Sequence, residues 1–291
     1  MRNSLLARVL AAAPHLTQRR KGLPGRGRGR RIASVSLVVA ATAVLGSLGL
    51  APAMASTGPS MTVNGNSVNI AIQGPHNSLK FYWAVNGSAT WHAETIAGPG
   101  TTFSAPSMTV NGNSVNISAM GPGHRLKFYW AVNGTSTWHV ETVAGAGSTF
   151  SAPSMTVNHN SVNISAIGAG GRLKFYWAVN GTATWHPETI AGPGTTFSAP
   201  SMTVNGNSVN ISAMGPSDRL KFFWAVNGTA TWHPETVAGV GSVLSAPSMT
   251  VNHNSVNISV VGAANRLRFY WAVNGTATWH PETVAGIGSV Q

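Results

Sequence analysis

The residues best suited to chemistry are a Trp, a His and a Glu that recur together in five places. In the third copy they are Trp185, His186 and Glu188. On an extended strand, the His and the Glu point to one face and the Trp to the other. A His and a carboxylate can bind a metal ion, but two ligands per copy are too few for a closed site. Two interpretations stay open. One is a hydrogen-bonded His–Glu pair on an outer strand; the other is a sugar site, because an aromatic face beside polar groups suits a pyranose ring.

The candidate sugar-binding set consists of this trio and the Asn that precedes it in each copy. In chain order, its members are Asn86, Trp91, His92, Glu94, Asn133, Trp138, His139, Glu141, Asn180, Trp185, His186, Glu188, Asn227, Trp232, His233, Glu235, Asn274, Trp279, His280 and Glu282. Turn formation is the alternative role of Asn86 and its equivalents, since Asn tolerates left-handed backbone conformations. Asn69 lies within a predicted strand, where a buried amide needs a hydrogen-bond partner.

The acidic residues argue against an enzyme. Five of the six are the same Glu in equivalent positions, and the sixth is Asp218 in a turn. Glycoside hydrolysis usually requires two carboxylates in different environments, whereas equivalent carboxylates have equivalent pKa values. The sequence also contains no GxSxG, HExxH or phosphate-binding glycine loop. We therefore predict a non-enzymatic protein that needs no cofactor and no metal.

A β-hairpin is predicted to carry the candidate residues. Its first strand, LKFYWAV, alternates with a period of two. Asn180 and Gly181 suit the positive-φ positions of a two-residue turn, and residues 183–190 form the second strand. This register places Tyr176 opposite Trp185. Both faces of the hairpin then carry large apolar side chains, so each sheet must be covered on both sides.

The hairpin belongs to a unit that is repeated five times. Its first Trp recurs every 47 residues, at Trp83, Trp130, Trp177, Trp224 and Trp271. Each unit predicts four strands, which in the second copy are 107–111, 114–120, 126–132 and 136–143. A unit of this length with two apolar faces is typical of a β-propeller blade. The predicted fold is all-β, a five-bladed β-propeller with four antiparallel strands per 47-residue blade. A β-solenoid with two coils per period is the alternative.

The start of the chain differs from the repeats. Nine of its 18 Lys and Arg residues lie in the first 31 positions, which contain no acid. An apolar run follows over residues 32–50, and then the triplet Ala53, Met54 and Ala55. This order is typical of a secretory signal peptide, so we predict residues 1–55 to be cleaved and the protein to be secreted. An uncleaved membrane anchor is the alternative, and the pair Arg30 and Arg31 is weak support for twin-arginine export.

Removal of residues 1–55 changes the interpretation of the net charge. The whole chain carries +12, but residues 56–291 have nine basic and six acidic side chains, a net charge of +3. Nucleic-acid binding needs a basic surface on the folded domain and is therefore not expected, nor is a membrane span after cleavage. The chain has no cysteine, so packing alone must stabilise it.

The length of the predicted mature chain supports a closed ring. Residues 56–291 number 236, which is five periods of 47 plus one. The repeats run over about 60–106, 107–153, 154–200, 201–247 and 248–291. We therefore expect one chain to form a monomeric ring whose ends meet between blades five and one.

The copies differ most in the turn between the second and third strands. It reads GPHNS in the first copy and GPGHR, GAGGR, GPSDR and GAANR in the others. Loops at one end of a scaffold often carry binding residues, but drift in an unconstrained turn explains the variation equally well.

Two families share these features. Five tandem four-stranded units of this length resemble the tachylectin-2 type of five-bladed propeller lectin. The segments PSMTVN, SVNIS, RLKFYWAV and TWHPETVAG are similar to blades of bacterial propeller lectins of the Photorhabdus fucose-lectin kind. The resemblance covers residues 56–291 and depends on period, strand order and Trp placement. It implies a calcium-independent, non-enzymatic sugar binder with sites between adjacent blades.

The predicted function is that of a secreted lectin, which binds glycans or glycoconjugates through equivalent sites on one ring. Weak single sites of roughly 4 kcal/mol would gain from multivalency on a glycan-coated surface. The alternative is a non-enzymatic extracellular or envelope scaffold that uses the same ring to bind protein partners.

Overall fold

A computed structural model describes residues 58–290, which form five four-stranded antiparallel sheets. The predicted all-β, five-bladed fold with four antiparallel strands per blade is therefore confirmed. No helix among these residues is long and apolar enough to cross a membrane. The predicted signal peptide over residues 1–55 lies outside the described residues.

Each blade is formed by four strands that are consecutive in the chain. In blades one and two the strands are β1 Ser60–Asn64, β2 Ser67–Gly74, β3 Ser78–Val85, β4 His92–Ala97, β5 Ser107–Asn111, β6 Ser114–Gly121, β7 Arg125–Val132 and β8 His139–Ala144. In blades three to five they are β9 Ser154–Asn158, β10 Ser161–Gly168, β11 Arg172–Val179, β12 His186–Ala191, β13 Ser201–Asn205, β14 Ser208–Gly215, β15 Arg219–Val226, β16 His233–Ala238, β17 Ser248–Asn252, β18 Ser255–Gly262, β19 Arg266–Val273 and β20 His280–Ala285.

The predicted hairpin exists, but its register is different. Strand β12 starts at His186 and pairs it with Trp177, so the connection from Asn180 to Trp185 is a six-residue loop. The predicted pairing of Tyr176 with Trp185 is therefore wrong, because Trp185 precedes the strand and Tyr176 pairs with Pro187. The Asn-Gly pair starts this loop, since the amide of Thr182 donates to the carbonyl of Val179 at 3.0 Å. The loop thus leaves the Trp free to face a different blade from the His and the Glu.

Successive blades pack face to face, as the two apolar faces predict. One face of blade three carries Leu173 and Phe175, which are buried against Met202 and Ile211 on the opposite face of blade four. Equivalent apolar clusters join blades one and two, two and three, and four and five. We call the face that turns to the next blade the leading face, and the one that turns to the preceding blade the trailing face. Burial between blades raises the pKa of the phenol of Tyr176 on the trailing face.

The first strands of successive blades lie side by side along one edge of the array. The hydroxyl of Ser154 in β9 accepts a hydrogen bond from the amide of Met202 in β13 at 3.0 Å. The same bond recurs at the other three packed interfaces. This polar contact fixes the register between blades at the edge, and the apolar cluster stabilises the area beside it.

The trailing face of blade one and the leading face of blade five are not covered in this way. Met61 is 68% exposed on blade one, whereas Met108 is 7% exposed on blade two. Leu267 and Phe269 on blade five are half-buried, although their equivalents in the other blades are buried. The described part of the chain is thus an open array with four packed interfaces. The predicted meeting of the chain ends involves residues 56 and 291, outside the described residues.

Candidate functional site

A groove opens at each of the four packed interfaces, between the leading face of one blade and a loop of the next. Between blades three and four, its first wall contains Asn163, Phe175, Trp177 and Glu188. Its second wall contains residues 225–230 and Trp232 of blade four. Equivalent residues line the other three grooves. The groove volumes range from about 220 to about 550 Å³, which suits a small ligand such as one or two sugar rings.

Strand pairing places the first wall. Phe175 and Trp177 are two residues apart on β11 and so lie on one face. Glu188 is directly opposite Phe175 on β12, and Asn163 is directly opposite Trp177 on β10. Aromatic, acidic and amide side chains from three neighbouring strands therefore meet on the leading face.

The Glu carboxylate connects the two walls. Glu188 accepts a hydrogen bond from Trp177 Nε1 of its own blade at 3.0 Å through Oε1. Through Oε2 it accepts one from Trp232 Nε1 of the next blade at 2.8 Å. The bond across the interface recurs at Glu94, Glu141 and Glu235. Because one carboxylate orients two indole rings, the Glu positions the aromatic surfaces of the groove.

Aromatic packing fixes the same rings. The Phe175 and Trp232 rings meet edge to face with centroids 5.0 Å apart, across the interface. The His186 ring stacks on Trp177 with centroids 4.1 Å apart. His186 is exposed and covers part of the Trp177 indole. The rings are therefore held in place before any ligand arrives.

The floor of the groove holds a buried amide without a partner. Asn163 is 2% exposed, and its Nδ2 has no hydrogen-bond partner among the described residues. Asn69 and Asn210 are in the same state at the equivalent positions of blades one and four. A buried amide N–H without an acceptor costs free energy, and a ligand oxygen in the groove would supply that acceptor. The hydrogen-bond acceptor that a buried Asn69 needs for its Nδ2 is therefore not found among residues 58–290.

The second wall comes from the loop between the third and fourth strands of the next blade. Asn227 anchors this loop, because its amide donates to the carbonyl of Asn207 at 2.7 Å. Gly228 follows with φ of 80°, a conformation that suits glycine. Thr229 then donates from both its amide and its hydroxyl to the carbonyl of Val226. These bonds bring Trp232 to the interface.

The structure divides the predicted trio between two grooves. Trp185 lines the groove with the preceding blade, where it donates to Glu141. Glu188 lines the groove with the following blade, together with Asn227 and Trp232. Each packed groove therefore combines the Glu of one copy with the Asn and Trp of the next. In blade five and blade one, the predicted residues Glu282, His280, Asn86 and Trp91 lie on the uncovered ends.

The predicted sugar-binding set did not include three groove residues: Asn163, Phe175 and Trp177, with their equivalents. Phe175 and Trp177 look like ordinary core residues, since a strand inside a sandwich is apolar throughout. Glu188 and Trp232 are 44 residues apart, three short of one period, so their contact joins consecutive blades, and the sequence contains no local pattern that indicates it. A metal site is not formed, as no three His, Asp or Glu side chains in residues 58–290 are close enough to hold an ion.

The turns that vary most between copies lie at the other end of the blades. They join the second and third strands, whereas the groove lies beside the loop that joins the third and fourth. In blade two, the turn binds the connector to blade three: the amides of Gly147, Ser148 and Thr149 donate to the carbonyls of Gly123 and His124. The His124 ring also stacks on Phe150 of that connector. These turns join one blade to the next.

Comparison with known sequences gives no relative: no protein-family model and no curated protein sequence matches this chain.

Comparison with solved structures gives propellers. BP39L lectin from Burkholderia pseudomallei superposes with a TM-score of 0.71 at 14% identity, over 79% of this chain and 70% of that chain. A variant of Aleuria aurantia lectin, solved with Fucα1-6GlcNAc, superposes with a TM-score of 0.53 at 10% identity, over 77% of this chain and 76% of that chain. TolB from Acinetobacter baumannii gives 0.51 at 15% identity, over 79% and 54%. The chain shares the β-propeller fold of these lectins.

Proposed function

We propose that this protein is a lectin that binds glycans in the grooves between adjacent blades. The observation that carries the proposal is the buried amide of Asn163, Asn69 and Asn210, whose Nδ2 has no protein partner although each residue lines an aromatic-walled groove. A sugar offers partners for both the aromatic rings and the free amide N–H of this groove. A pyranose has an apolar face of C–H groups for the aromatic rings and hydroxyl oxygens that accept from an amide.

The groove residues then have distinct roles. The half-buried Trp177 and Trp232 pack against the apolar face of the sugar, the buried Phe175 supports them from below, and Asn163 donates to a ring hydroxyl. Glu188 holds the two indoles and keeps lone pairs for a sugar hydroxyl, since a carboxylate accepts about four hydrogen bonds. The exposed His186, stacked on Trp177, contacts residues of a longer glycan. The predicted sugar residues therefore act from both walls of one groove, not as a trio from one blade.

The same contacts argue against catalysis. In three of the four packed grooves the Glu is held by two indole N–H groups in the same arrangement, and in the fourth Glu94 keeps the bond across the interface, so the copies do not divide into an acid and a nucleophile. Repeated, equivalent grooves therefore favour binding of a ligand without its chemical conversion. Several of the superposed structures are lectins, including one solved with a fucose-containing disaccharide, which supports a sugar ligand and makes L-fucose a sensible first probe.

Repetition gives the binding its strength. A shallow monosaccharide site is often millimolar, roughly 4 kcal/mol, and several sites on one rigid array can gain about 10² to 10⁴ in avidity. Secretion, for which residues 1–55 have the sequence features, would bring the grooves to glycan-coated surfaces. The ligands of the proposed lectin are therefore glycans displayed at high density.

The decisive experiment removes the buried amide. Replacing Asn69, Asn163 and Asn210 by Ala should lower sugar affinity at the three grooves that they line at least about tenfold, since a hydrogen bond of about 1.4 kcal/mol corresponds to that factor. Stability should hold or rise, because Nδ2 of these three residues has no partner among the described residues. Binding is measured by tryptophan fluorescence and calorimetry with L-fucose, galactose, GlcNAc and GalNAc, and stability by urea denaturation.

A matched control is available on the same strands. Ser118, Ser165 and Ser212 are also buried with an unpartnered hydroxyl, two residues further along the same face, but they do not line the grooves. Their replacement by Ala should leave sugar affinity unchanged. If none of these sugars and no glycan on an array binds the native protein, the lectin proposal fails and the scaffold for protein partners becomes the better hypothesis.

A further inference from the structure

All the Lys and Arg residues within residues 58–290 lie at one end of the blades. We call it the connector end, because it holds the turns between the second and third strands and the connectors to the next blade; the loops between the third and fourth strands lie at the opposite, groove end. Each of these cations is the first or third residue of a third strand. They are Lys80, Arg125, Lys127, Arg172, Lys174, Arg219, Lys221, Arg266 and Arg268. Asp218 is the one acid in the turns beside them.

The connector ends of packed blades face the same side of the array. At each packed interface, the amide of a Met in one first strand donates to the hydroxyl of the Ser that starts the preceding first strand, as from Met202 to Ser154 at 3.0 Å. Adjacent first strands therefore start side by side and run parallel. The cations of the five blades are thus displayed together on one surface, where the local charge is far more positive than the net charge of the repeats suggests.

The contacts of the arginines inside the protein do not require a positive charge. Arg172 Nη1 donates to the carbonyl of Ala169 across the turn, at 2.9 Å. In blade one, Ser78 holds the position of Arg172, and its hydroxyl makes the same contact with the carbonyl of Pro75 at 2.9 Å. A neutral hydroxyl is thus sufficient for the turn, and a guanidinium has further donors that this contact leaves unused. The positive charge is available for a partner outside the protein.

The lysines also keep their head groups at the surface. The stem of Lys174 passes over Gly168, where a Cβ would lie 2.8 Å from Lys174 Cγ. Its Nζ donates to Oγ1 of the exposed Thr189 at 2.6 Å, and the same contact recurs in blades one, two and four. Arg172 and Lys174 are two residues apart on a strand and share a face, so they present two cations about 7 Å apart.

Exposed apolar residues lie beside these cations. Each connector contains an apolar residue between two glycines, and these residues are Pro99, Ala146, Pro193, Val240 and Ile287. All five are exposed, with values of 65% for Val240 and 72% for Ile287. A Cβ at Gly170 would lie 3.5 Å from Arg172 Nη1 and 3.9 Å from Pro193 Cβ, so the guanidinium and the apolar residue flank the same turn. The connector end is therefore a cationic surface that also exposes apolar side chains.

We infer that the connector end binds the surface of an anionic phospholipid bilayer. The lipid phosphates supply negative charges across a plane, and each Lys or Arg near such a surface strengthens binding about fivefold. The exposed apolar residues then contact the boundary between headgroups and acyl chains. A nucleic acid or an acidic polysaccharide would use the cations but leave the apolar residues in water. The bilayer is therefore the partner that both features favour.

This inference does not depend on the proposed lectin function. The residues that line the four grooves include no Lys or Arg, and the second wall of each groove is a loop at the opposite end of the blade. The two ends can therefore bind their partners at the same time. A protein that uses both would hold a glycan at the surface of a membrane.

Vesicle co-sedimentation tests the bilayer as partner. The native protein should bind vesicles of phosphatidylcholine and phosphatidylglycerol, mixed at about two to one, and should not bind vesicles of phosphatidylcholine alone. Combining Arg125→Gln, Arg172→Gln and Arg219→Gln removes three cations but keeps a donor for each turn carbonyl. This variant should bind the anionic vesicles about 10²-fold more weakly, and far-UV circular dichroism checks that it folds. Absence of binding by the native protein would overturn the inference.

A charge-matched control changes the other end of the blades. Asn113, Asn160 and Asn207 are exposed in the turns between first and second strands, whose carbonyls bind the groove-end loops. Replacing all three by Asp lowers the net charge by the same amount as the Arg variant. Because these positions lie away from the proposed contact, vesicle affinity should change less than about twofold. Equal losses in the two variants would show an effect of net charge alone and contradict a specific surface.

The apolar residues separate a bilayer from other polyanions. Val240→Ser combined with Ile287→Ser should lower the affinity for anionic vesicles about tenfold and leave the affinity for heparin and duplex DNA unchanged. Unchanged vesicle affinity of this variant, together with tighter binding of heparin or DNA, would assign the surface to a linear polyanion and overturn the inference. Titration of the same samples with L-fucose reports on the grooves. Failure there would count against the lectin proposal and leave the vesicle result in force.

Discussion

The two ends of each blade are both built from loops between antiparallel strands, yet they use their residues differently. At the groove end, the loop after β11 delivers Trp185 to a carboxylate of the preceding blade, so a side chain makes the contact. At the connector end, the turn after β10 binds its neighbour through backbone groups: the amides of Gly194, Thr195 and Thr196 donate to the carbonyls of Gly170 and Gly171.

This difference explains where the copies vary. A backbone carbonyl is present whatever the residue, so the connector-end turn keeps its bonds when its sequence changes. The position of Gly171 is held by Asn77, His124, Asp218 and Asn265 in the other copies, all with positive φ. At the groove end, the contact needs an indole N–H and a carboxylate. The Trp–Glu contact at the groove end therefore requires its residue types, whereas the backbone contact at the connector end tolerates sequence changes.

Substitution of the acidic residue at each end should change stability very differently. Glu188→Gln at the groove end leaves an acceptor for only one of two indole N–H groups, and we expect it to lower the free energy of unfolding by about 1–3 kcal/mol. Asp218→Asn at the connector end removes an exposed carboxylate and should change it by less than about 0.5 kcal/mol. Urea denaturation measures both. Equal losses would contradict the division between side-chain and backbone contacts.

Substitutions at positions with positive φ should change the free energy of unfolding by a smaller amount, with opposite signs at the two ends of the blade. Gly181 has φ of 79° in the groove-end loop, and Gly181→Ala should cost about 1 kcal/mol because L-residues disfavour this conformation. Ala264 already has φ of 58° in a connector-end turn, so Ala264→Gly should relieve a similar strain. Thermal and urea unfolding compare the pair. Unchanged stability of Gly181→Ala would mean that the loop has another conformation in solution.

The smallest effect is expected from exchanging one connector-end turn for another. Residues 169–171 can be replaced by the Pro-Gly-His of residues 122–124. Because the backbone bonds persist, the free energy of unfolding should change by less than about 0.5 kcal/mol and sugar affinity should not change. Fluorescence titration of this variant checks the second point. A shift in affinity would place ligand contacts at the connector end and contradict the groove assignment.

The sequence predicted the architecture well because the same strand pattern occurs in it five times. The 47-residue period, the alternation along SVNIS and LKFYWAV, and the two apolar faces were enough for the number of blades and the strand order. Strand ends were less well predicted: β8 begins at His139 and not at residue 136, since the loop before it is longer than an Asn-Gly turn suggests. The length of this loop sets the direction in which Trp138 points, and no local sequence pattern predicts that direction.

The amino-acid sequence alone defines the set of side chains and the strands that carry them. Local alternation sets these, because neighbouring residues on a strand must point to opposite faces. Blade packing sets which side chains share a groove: Glu188 contacts Trp232 and not Trp185, because each groove is formed by the face of one blade and a loop of the next. It also decided that identical sequences differ in burial, as Met61 and Met108 do. Burial depends on the neighbouring blade, and a repeat at the end of an array has one neighbour fewer.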